Sequence, residues 1–114
     1  MVGLDKQRFI QRTARRNRGD VHGSSVLWSR HALAALLDDD LDRRQVEFAL
    51  ENGVVIEDYY AANRPLPDCL VLCLHHNTPI HAVVAIDEAN DRIFMVTVYI
   101  PSAERWLDDW RTRK

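Results

Sequence analysis

The sequence predicts an α+β domain in which N-terminal helices precede a four-stranded, mostly antiparallel sheet and a short C-terminal helix. The clearest observation is a β-hairpin, in which apolar, β-branched runs at 80–87 and 92–100 flank a short polar loop. A further apolar run at 69–75 predicts another strand, and capping residues in the first half of the chain predict helices. Helices followed by strands are typical of an antiparallel sheet with helices on one face.

The loop of the hairpin sets its expected register, because Asp87 and Arg92 attract each other when they face across it. In this register, Thr97 and Tyr99 share one face of the sheet. The other face carries His81 among apolar side chains, namely Val83, Phe94, Val96 and Val98. We therefore expect His81 to be buried and to have a structural role.

The predicted helices have recognisable ends. Residues 4–16 are predicted to form a basic helix with a partial apolar stripe of Leu4, Phe9, Ile10 and Ala14. The Gly and Ser content of 18–25 predicts a loop after it. Ser29 is a predicted N-cap for a helix over 30–37. Asp42 is a predicted N-cap for the next helix, which ends at Gly53.

The remaining elements lie at either end of the sheet region. A strand is predicted over 54–60, and the loop 63–68 is constrained by two prolines. Pro101 ends the last strand, and Ser102 is a predicted cap for a terminal helix that carries Trp106 and Trp110 on one face.

Length and composition indicate one globular domain. With 114 residues, 46% hydrophobic and 28% charged, we expect a basic arm or helix at 1–24 and a single α+β domain at 25–114. No apolar run approaches the roughly 20 residues that a membrane span needs, and no apolar leader core follows the N-terminus. These observations predict a cytoplasmic protein without membrane partners, and they leave a homo-oligomer open.

Positive charge is concentrated at the N-terminus, although the formal net charge is −2. Asp5 is the single acidic residue among the first eighteen, which contain six basic ones: Lys6, Arg8, Arg12, Arg15, Arg16 and Arg18. Such a run suits contact with nucleic acid, and it equally suits a solvated terminal helix. Both interpretations stay open at this point.

The cysteines and histidines predict no metal site. Cys69 and Cys73 share one face of a strand but lie about 13 Å apart, which is too far for a disulfide or a common metal ion. We expect both to be small buried hydrophobes. His75 and His76 point to opposite faces, and no phosphate loop, dinucleotide fingerprint or nucleophile elbow is found. No cofactor is expected.

Several segments in combination resemble one small bacterial family, the domain of unknown function 4258. They are His31-Ala32 after Ser29, the runs 46–59, 65–72, 79–84 and 96–101, Trp106, and the basic end 111–114. The resemblance covers roughly residues 28–114. It implies a fold similar to the RelE-like ribonuclease toxins and an antitoxin protein as partner.

The chain departs from the pattern of this family at two positions. Members of the family usually carry two arginines after the His-Ala pair, and the corresponding positions here are Ala35 and, approximately, Asp39. If those arginines bind phosphate, this chain has lost two anchors. Either the N-terminal arginines replace them or this member does not cleave RNA.

Metal-independent RNA cleavage needs a base for the 2′-hydroxyl, a cation for the phosphate and an acid for the leaving oxygen. The candidates are His31 as base at a helix N-terminus, Arg64 as cation and Tyr99 as acid. Further phosphate contacts are expected from Arg30, Arg111, Arg113 and Lys114. The hypothesis is a toxin-like, metal-independent ribonuclease. The alternative is a non-catalytic module that binds RNA or a protein partner.

Overall fold

The computed structural model describes residues 3–59 and 63–114, with the side chain of Leu4 outside that description. Three α-helices and five strands follow one another as α1 (Gly3–Arg18), β1 (Val26–Trp28), α2 (Arg30–Asp38), α3 (Arg43–Ala49), β2 (Val54–Tyr59), β3 (Asp68–His75), β4 (Thr78–Asp87) and β5 (Arg92–Tyr99). Single 3-10 turns lie at Leu50–Asn52 and Glu88–Asn90. The predicted strand extends to Tyr60, which lies outside the described residues.

The sheet has five strands in the order β1-β5-β4-β3-β2, so the prediction of four strands is wrong. The missed strand, β1, pairs in parallel with β5, whereas the other three pairs are antiparallel. Its three residues are too few for a local periodic pattern. Backbone hydrogen bonds from Ile93 to Ser25 and from Ser29 to Met95 hold it, and these form only once the hairpin exists.

The predicted helix caps are confirmed. The Ser29 hydroxyl accepts the Ala32 N–H at 3.0 Å at the start of α2. The Asp42 carboxylate accepts the N–H groups of Arg44 and Gln45 at the start of α3. These bonds satisfy donors that the first turn of a helix leaves free, which is why the sequence signal was reliable.

The register of the hairpin is correct only near its loop. Asp87 faces Arg92 and Val84 faces Met95, as predicted, but Val96 forms a β-bulge and Thr97 then pairs with Val83. The extra residue reverses the face of everything beyond it. Tyr99 therefore lies opposite His81 and on the same face of the sheet, so its predicted place on the other face is wrong.

The predicted C-terminal helix is also wrong. The C-terminal segment, residues 101–114, has one turn after Ser102 and then folds back, so that Trp106 forms an isolated antiparallel bridge with Arg113. The Asp109 carboxylate accepts the N–H groups of Arg111 and Thr112, and Trp110 has a left-handed φ of 59°. This aspartate turn supplies an alternative to helical hydrogen bonds, because short acidic side chains compete for nearby backbone donors.

The two faces of the sheet have different coverings. The core face is packed by helices, with Ile10 and Ala14 of α1 and Leu36 of α2 in the same buried cluster as Met95 and Val98. Cys69 and Cys73 are free and buried in this cluster, which confirms their predicted packing role. The other face, called the outer face below, carries Leu70, His81, Val83, Thr97 and Tyr99 with the C-terminal segment against part of it. No helix among the described residues is long and apolar enough to cross a membrane.

Gly53, between α3 and β2, allows the close approach of the sheet. A Cβ at this position would lie 2.7 Å from Cγ1 of the buried Val71. We expect Gly53→Ala to lower the free energy of unfolding by about 1–3 kcal/mol, the usual cost of overpacking a core. Urea denaturation measures this, with Gly19→Ala as control because its Cβ has 3.8 Å to the nearest atom. Equal stability of the two variants would contradict the account.

Candidate functional site

Two β-bulges turn a group of polar side chains onto the outer face. In β2 the pairing shifts between Val55 and Glu57, so that Ile56 is the extra residue and Glu57 faces outward opposite Leu70. In β5 the bulge at Val96 does the same for Tyr99. Bulges often re-aim side chains next to functional sites. Here they gather Glu57, Tyr59, His81 and Tyr99 on one side of the sheet.

His81 lies at the centre of this group and is fully buried. Its Nε2 lies 2.7 Å from the carbonyl oxygen of Trp110, which only accepts, so Nε2 must carry the proton. The neutral imidazole then accepts the Tyr99 hydroxyl at Nδ1, at 3.3 Å. The ring of Trp106 stacks edge-on at 4.4 Å between centroids. The prediction that His81 is buried is confirmed, and the groups that contact its ring include the Tyr99 hydroxyl, the Trp106 ring and the Trp110 carbonyl.

A second set of contacts lies beside the histidine. Arg113 donates to both carboxylate oxygens of Glu57, at 2.7 and 2.9 Å, and the Tyr59 hydroxyl donates to the same carboxylate at 3.0 Å. The Arg113 side chain remains 59% exposed. Its guanidinium lies 4.7 Å from the ring centroid of Trp106. Because the Trp106 ring also packs against His81, the two sets of contacts meet at this ring.

A second arginine, Arg64, extends the outer face beyond the end of β2. Arg64 pairs with the carboxylate of Asp68, and its guanidinium lies 5.8 Å from the ring centroid of Tyr59. Its side chain is 48% exposed. The outer face thus presents two arginine–aromatic pairs, Arg64 with Tyr59 and Arg113 with Trp106.

The electrostatics of the group favour fixed charges at neutral pH. The hydrogen bonds from Arg113 lower the pKa of the Glu57 carboxyl, so it stays ionised. Burial, then the hydrogen bond to Glu57, raises the pKa of Tyr59 to about 12. Burial lowers the pKa of His81 and raises that of Tyr99. Each of these shifts moves the pKa of the group away from neutral pH. A general base or acid works best with a pKa near neutral pH.

The structure separates the predicted catalytic residues. Tyr99 and Arg113 belong to the outer-face group, and Arg64 adjoins it through Tyr59. His31 is exposed in the first turn of α2, and that helix packs on the core face of the sheet. The helix that carries His31 therefore packs on the face of the sheet opposite to Tyr99.

The predicted phosphate-binding residues divide in the same way. Arg111 and Lys114 are exposed on the C-terminal segment near Arg113, whereas Arg30 is exposed on α2 with His31. Ala35 and Asp39, the two positions where the resemblance implies arginines, have structural roles in this chain. Ala35 is on the buried side of α2, and the Asp39 carboxylate accepts the N–H of Ile100 at 2.9 Å.

Simple alternation along the strands misses Glu57 and Tyr59, because each bulge adds one residue to the count. A sequence signal for them does exist. Glu57 and Tyr59 are two residues apart in the predicted strand, which places them on one face, and Asp58 between them lies on the other. In the described part of the chain, no group of three or more His, Cys, Asp or Glu side chains is arranged to hold a metal ion.

Comparison with protein families places these elements in a known group. The family model for a Domain of unknown function (DUF4258) matches residues 28–100, from the end of β1 to the residue after β5. The chain belongs to this family. The DUF4258 match includes Glu57, Tyr59, Arg64, His81 and Tyr99, whereas Trp106 and Arg113 follow it. No curated protein and no solved structure matches the chain.

Proposed function

We propose that this chain is a toxin-like protein that binds single-stranded RNA on the outer face of its sheet. The observation that carries the proposal is the pair of arginine–aromatic contacts, Arg64 with Tyr59 and Arg113 with Trp106, on a partly open sheet face. We also propose that the chain has a fold similar to the RelE-like toxins, as the resemblance to its family implies.

The chemistry of unpaired RNA suits this surface. Splayed bases stack on aromatic rings and on guanidinium planes, while arginines and lysines bind the phosphates between them. Tyr59 and Tyr99 supply partly exposed rings. Arg64 and Arg113 supply guanidiniums that are about half exposed. Further exposed cations lie on the C-terminal segment at Arg105, Arg111 and Lys114.

Binding rather than catalysis is the better supported activity. Both ring nitrogens of His81 are hydrogen-bonded, and the imidazole is buried. His31, the base predicted from the sequence, belongs to the helix that packs on the core face of the sheet. A bound phosphate on this face meets cations without a free base beside them.

A metal-independent ribonuclease is the second candidate, favoured by one observation. Glu57, Tyr59 and Arg113 place a carboxylate, a hydroxyl and a guanidinium within hydrogen-bond distance of one another. These are the group types for a base, an acid and a phosphate-binding cation. For cleavage, RNA would have to displace Arg113 from Glu57, because the guanidinium lowers the pKa of that carboxyl and weakens it as a base.

The test is fluorescence anisotropy with a labelled single-stranded RNA of about 12 nucleotides, which is within the site sizes of single-strand binders. We expect salt-sensitive binding by the wild type and a loss of about tenfold or more in Tyr59→Leu, the scale of one lost base stack. Tyr59→Phe is the matched control, because it keeps the ring and removes only the hydroxyl. Absence of binding by the wild type, or equal affinity of the Leu and Phe variants, would overturn the proposal.

The same samples decide between binding and cleavage. RNA is incubated with the wild type, with Glu57→Gln and with Tyr59→Phe in excess chelator, and the fragments are resolved on a gel. The binding proposal predicts intact RNA in all three. Cleavage by the wild type that falls about a hundredfold or more in Glu57→Gln and in Tyr59→Phe would favour the ribonuclease.

A further inference from the structure

The solvent-exposed side of α1 carries the densest positive charge in the described chain. Six residues of the helix are basic and one, Asp5, is acidic, although the whole chain has a net charge of −2. Two of the arginines are paired, Arg16 with Asp91 at 3.0 Å and Arg18 with Glu51 at 3.4 Å. Lys6 is buried. The remaining three, Arg8, Arg12 and Arg15, are exposed and form what we call the arginine face.

The helical spacing makes these three side chains neighbours. Arg8, Arg12 and Arg15 are four and three residues apart, so they follow one another along one side of the helix. Arg15 donates one bond to the backbone of Glu51, and Arg12 lies over the ring of Phe9 at 5.5 Å. These contacts position Arg12 and Arg15, and a guanidinium has five N–H donors, of which the bond to Glu51 uses one on Arg15.

The arginine face and the outer face point away from each other. Ile10 and Ala14 of α1 are packed in the core between the helix and the sheet, so the exposed side of α1 is turned away from the sheet. A ligand that reaches the arginine face therefore makes contacts separate from those at Tyr59 and Tyr99.

The side chains of the arginine face limit the class of ligand that can bind there. A membrane surface would need a free apolar side on the helix, but Phe9, Ile10 and Ala14 are buried. The one aromatic residue of α1 is the buried Phe9, so bases find no ring to stack on. What remains is a row of guanidiniums, which recognises the backbone phosphates of a nucleic acid without reading its bases.

We propose that Arg8, Arg12 and Arg15 form a second RNA-contacting surface, which binds the phosphates of a double-stranded region while the outer face takes unpaired nucleotides. The inference rests on the proposed function in taking RNA as the polyanion. A paired region is the fitting partner because it presents phosphates outward and keeps its bases inside. The RNA ligand is then a folded RNA with both paired and unpaired parts.

The experiment uses two probes, a blunt RNA hairpin of about 16 base pairs and the single strand of about 12 nucleotides. We expect Arg8→Gln/Arg12→Gln to lose about tenfold in affinity for the hairpin at low salt. The slope of log K against log salt should fall by about 1–2, one unit for each phosphate contact removed. Affinity for the single strand should stay unchanged. The control Arg43→Gln/Arg44→Gln removes the same charge from exposed positions on α3 and should keep both affinities.

The two probes separate this inference from the proposed function. Equal hairpin affinity in the α1 variant and its control overturns the inference, as does a wild type that binds only the single strand. A wild type that binds the hairpin through α1 but does not bind the single strand supports the inference and overturns the outer-face proposal. Circular dichroism and thermal melting of each variant show that the fold is intact.

Discussion

Trp106→Ala is expected to lower the free energy of unfolding by about 3–5 kcal/mol, the usual range for truncating a large buried aromatic side chain. Trp106 is 3% exposed, although it lies in a segment without a helix or a long strand. Its ring packs edge-on against His81 and also contacts the guanidinium of Arg113. Removing it leaves a cavity over the outer face and exposes a histidine that is otherwise dry.

Urea denaturation followed by far-ultraviolet circular dichroism measures this change. Leu107→Ala is the matched control, because Leu107 is the next residue along and is 43% exposed. We expect the control to stay within about 0.5 kcal/mol of the wild type. A Trp106→Ala variant as stable as the Leu107→Ala variant would show that the C-terminal segment contributes nothing to the fold.

His81→Ala is the second change with a large expected effect, about 1–3 kcal/mol from unsatisfied partners plus the cost of the cavity. The substitution leaves the Trp110 carbonyl and the Tyr99 hydroxyl without the imidazole that joins them. Because the bond to Trp110 ties the C-terminal segment to the sheet, the variant should also be cut faster by trypsin at Arg111. His22→Ala, at an exposed loop position, is the control.

The loss in His81→Ala should depend on pH. Burial lowers the pKa of the His81 imidazole in the folded state below its ordinary value of about 6.5. The unfolded chain therefore takes up the proton first, and the contribution of the neutral imidazole is present above about pH 6.5 and declines as the pH falls. The difference in unfolding free energy between wild type and variant should shrink from pH 7.5 to pH 5. A constant difference would contradict the neutral, buried assignment.

Local signals in the sequence predicted much of the fold. Ser29 and Asp42 were recognisable caps, and the Asp87–Arg92 pair fixed the hairpin near its loop. These features depend on residues close in sequence. β1 could not be found in this way, because its three residues become a strand only by pairing with β5. The C-terminal segment was misassigned because Asp109 favours a turn where the tryptophan spacing suggested a helix.

The candidate site was harder to predict for a related reason. Strand alternation assigns faces correctly only until a bulge, and two of the three strands that carry the site, β2 and β5, contain one. The bulge at Val96 brought Tyr99 onto the face of His81, and the shift at Ile56 turned Glu57 outward. A single sequence does not mark which apolar residue of a strand will bulge, since the extra residue depends on twist and on neighbouring strands.

The central claim is that the outer face of the sheet is where this protein binds RNA. NMR chemical-shift mapping during titration with the single-stranded oligonucleotide tests it most directly. The account predicts that the largest amide shifts fall in β2, in the second half of β5 and in the C-terminal segment, around Tyr59, Tyr99 and Arg113. Shifts confined to α2, around Arg30 and His31, with the outer face unchanged, would contradict it.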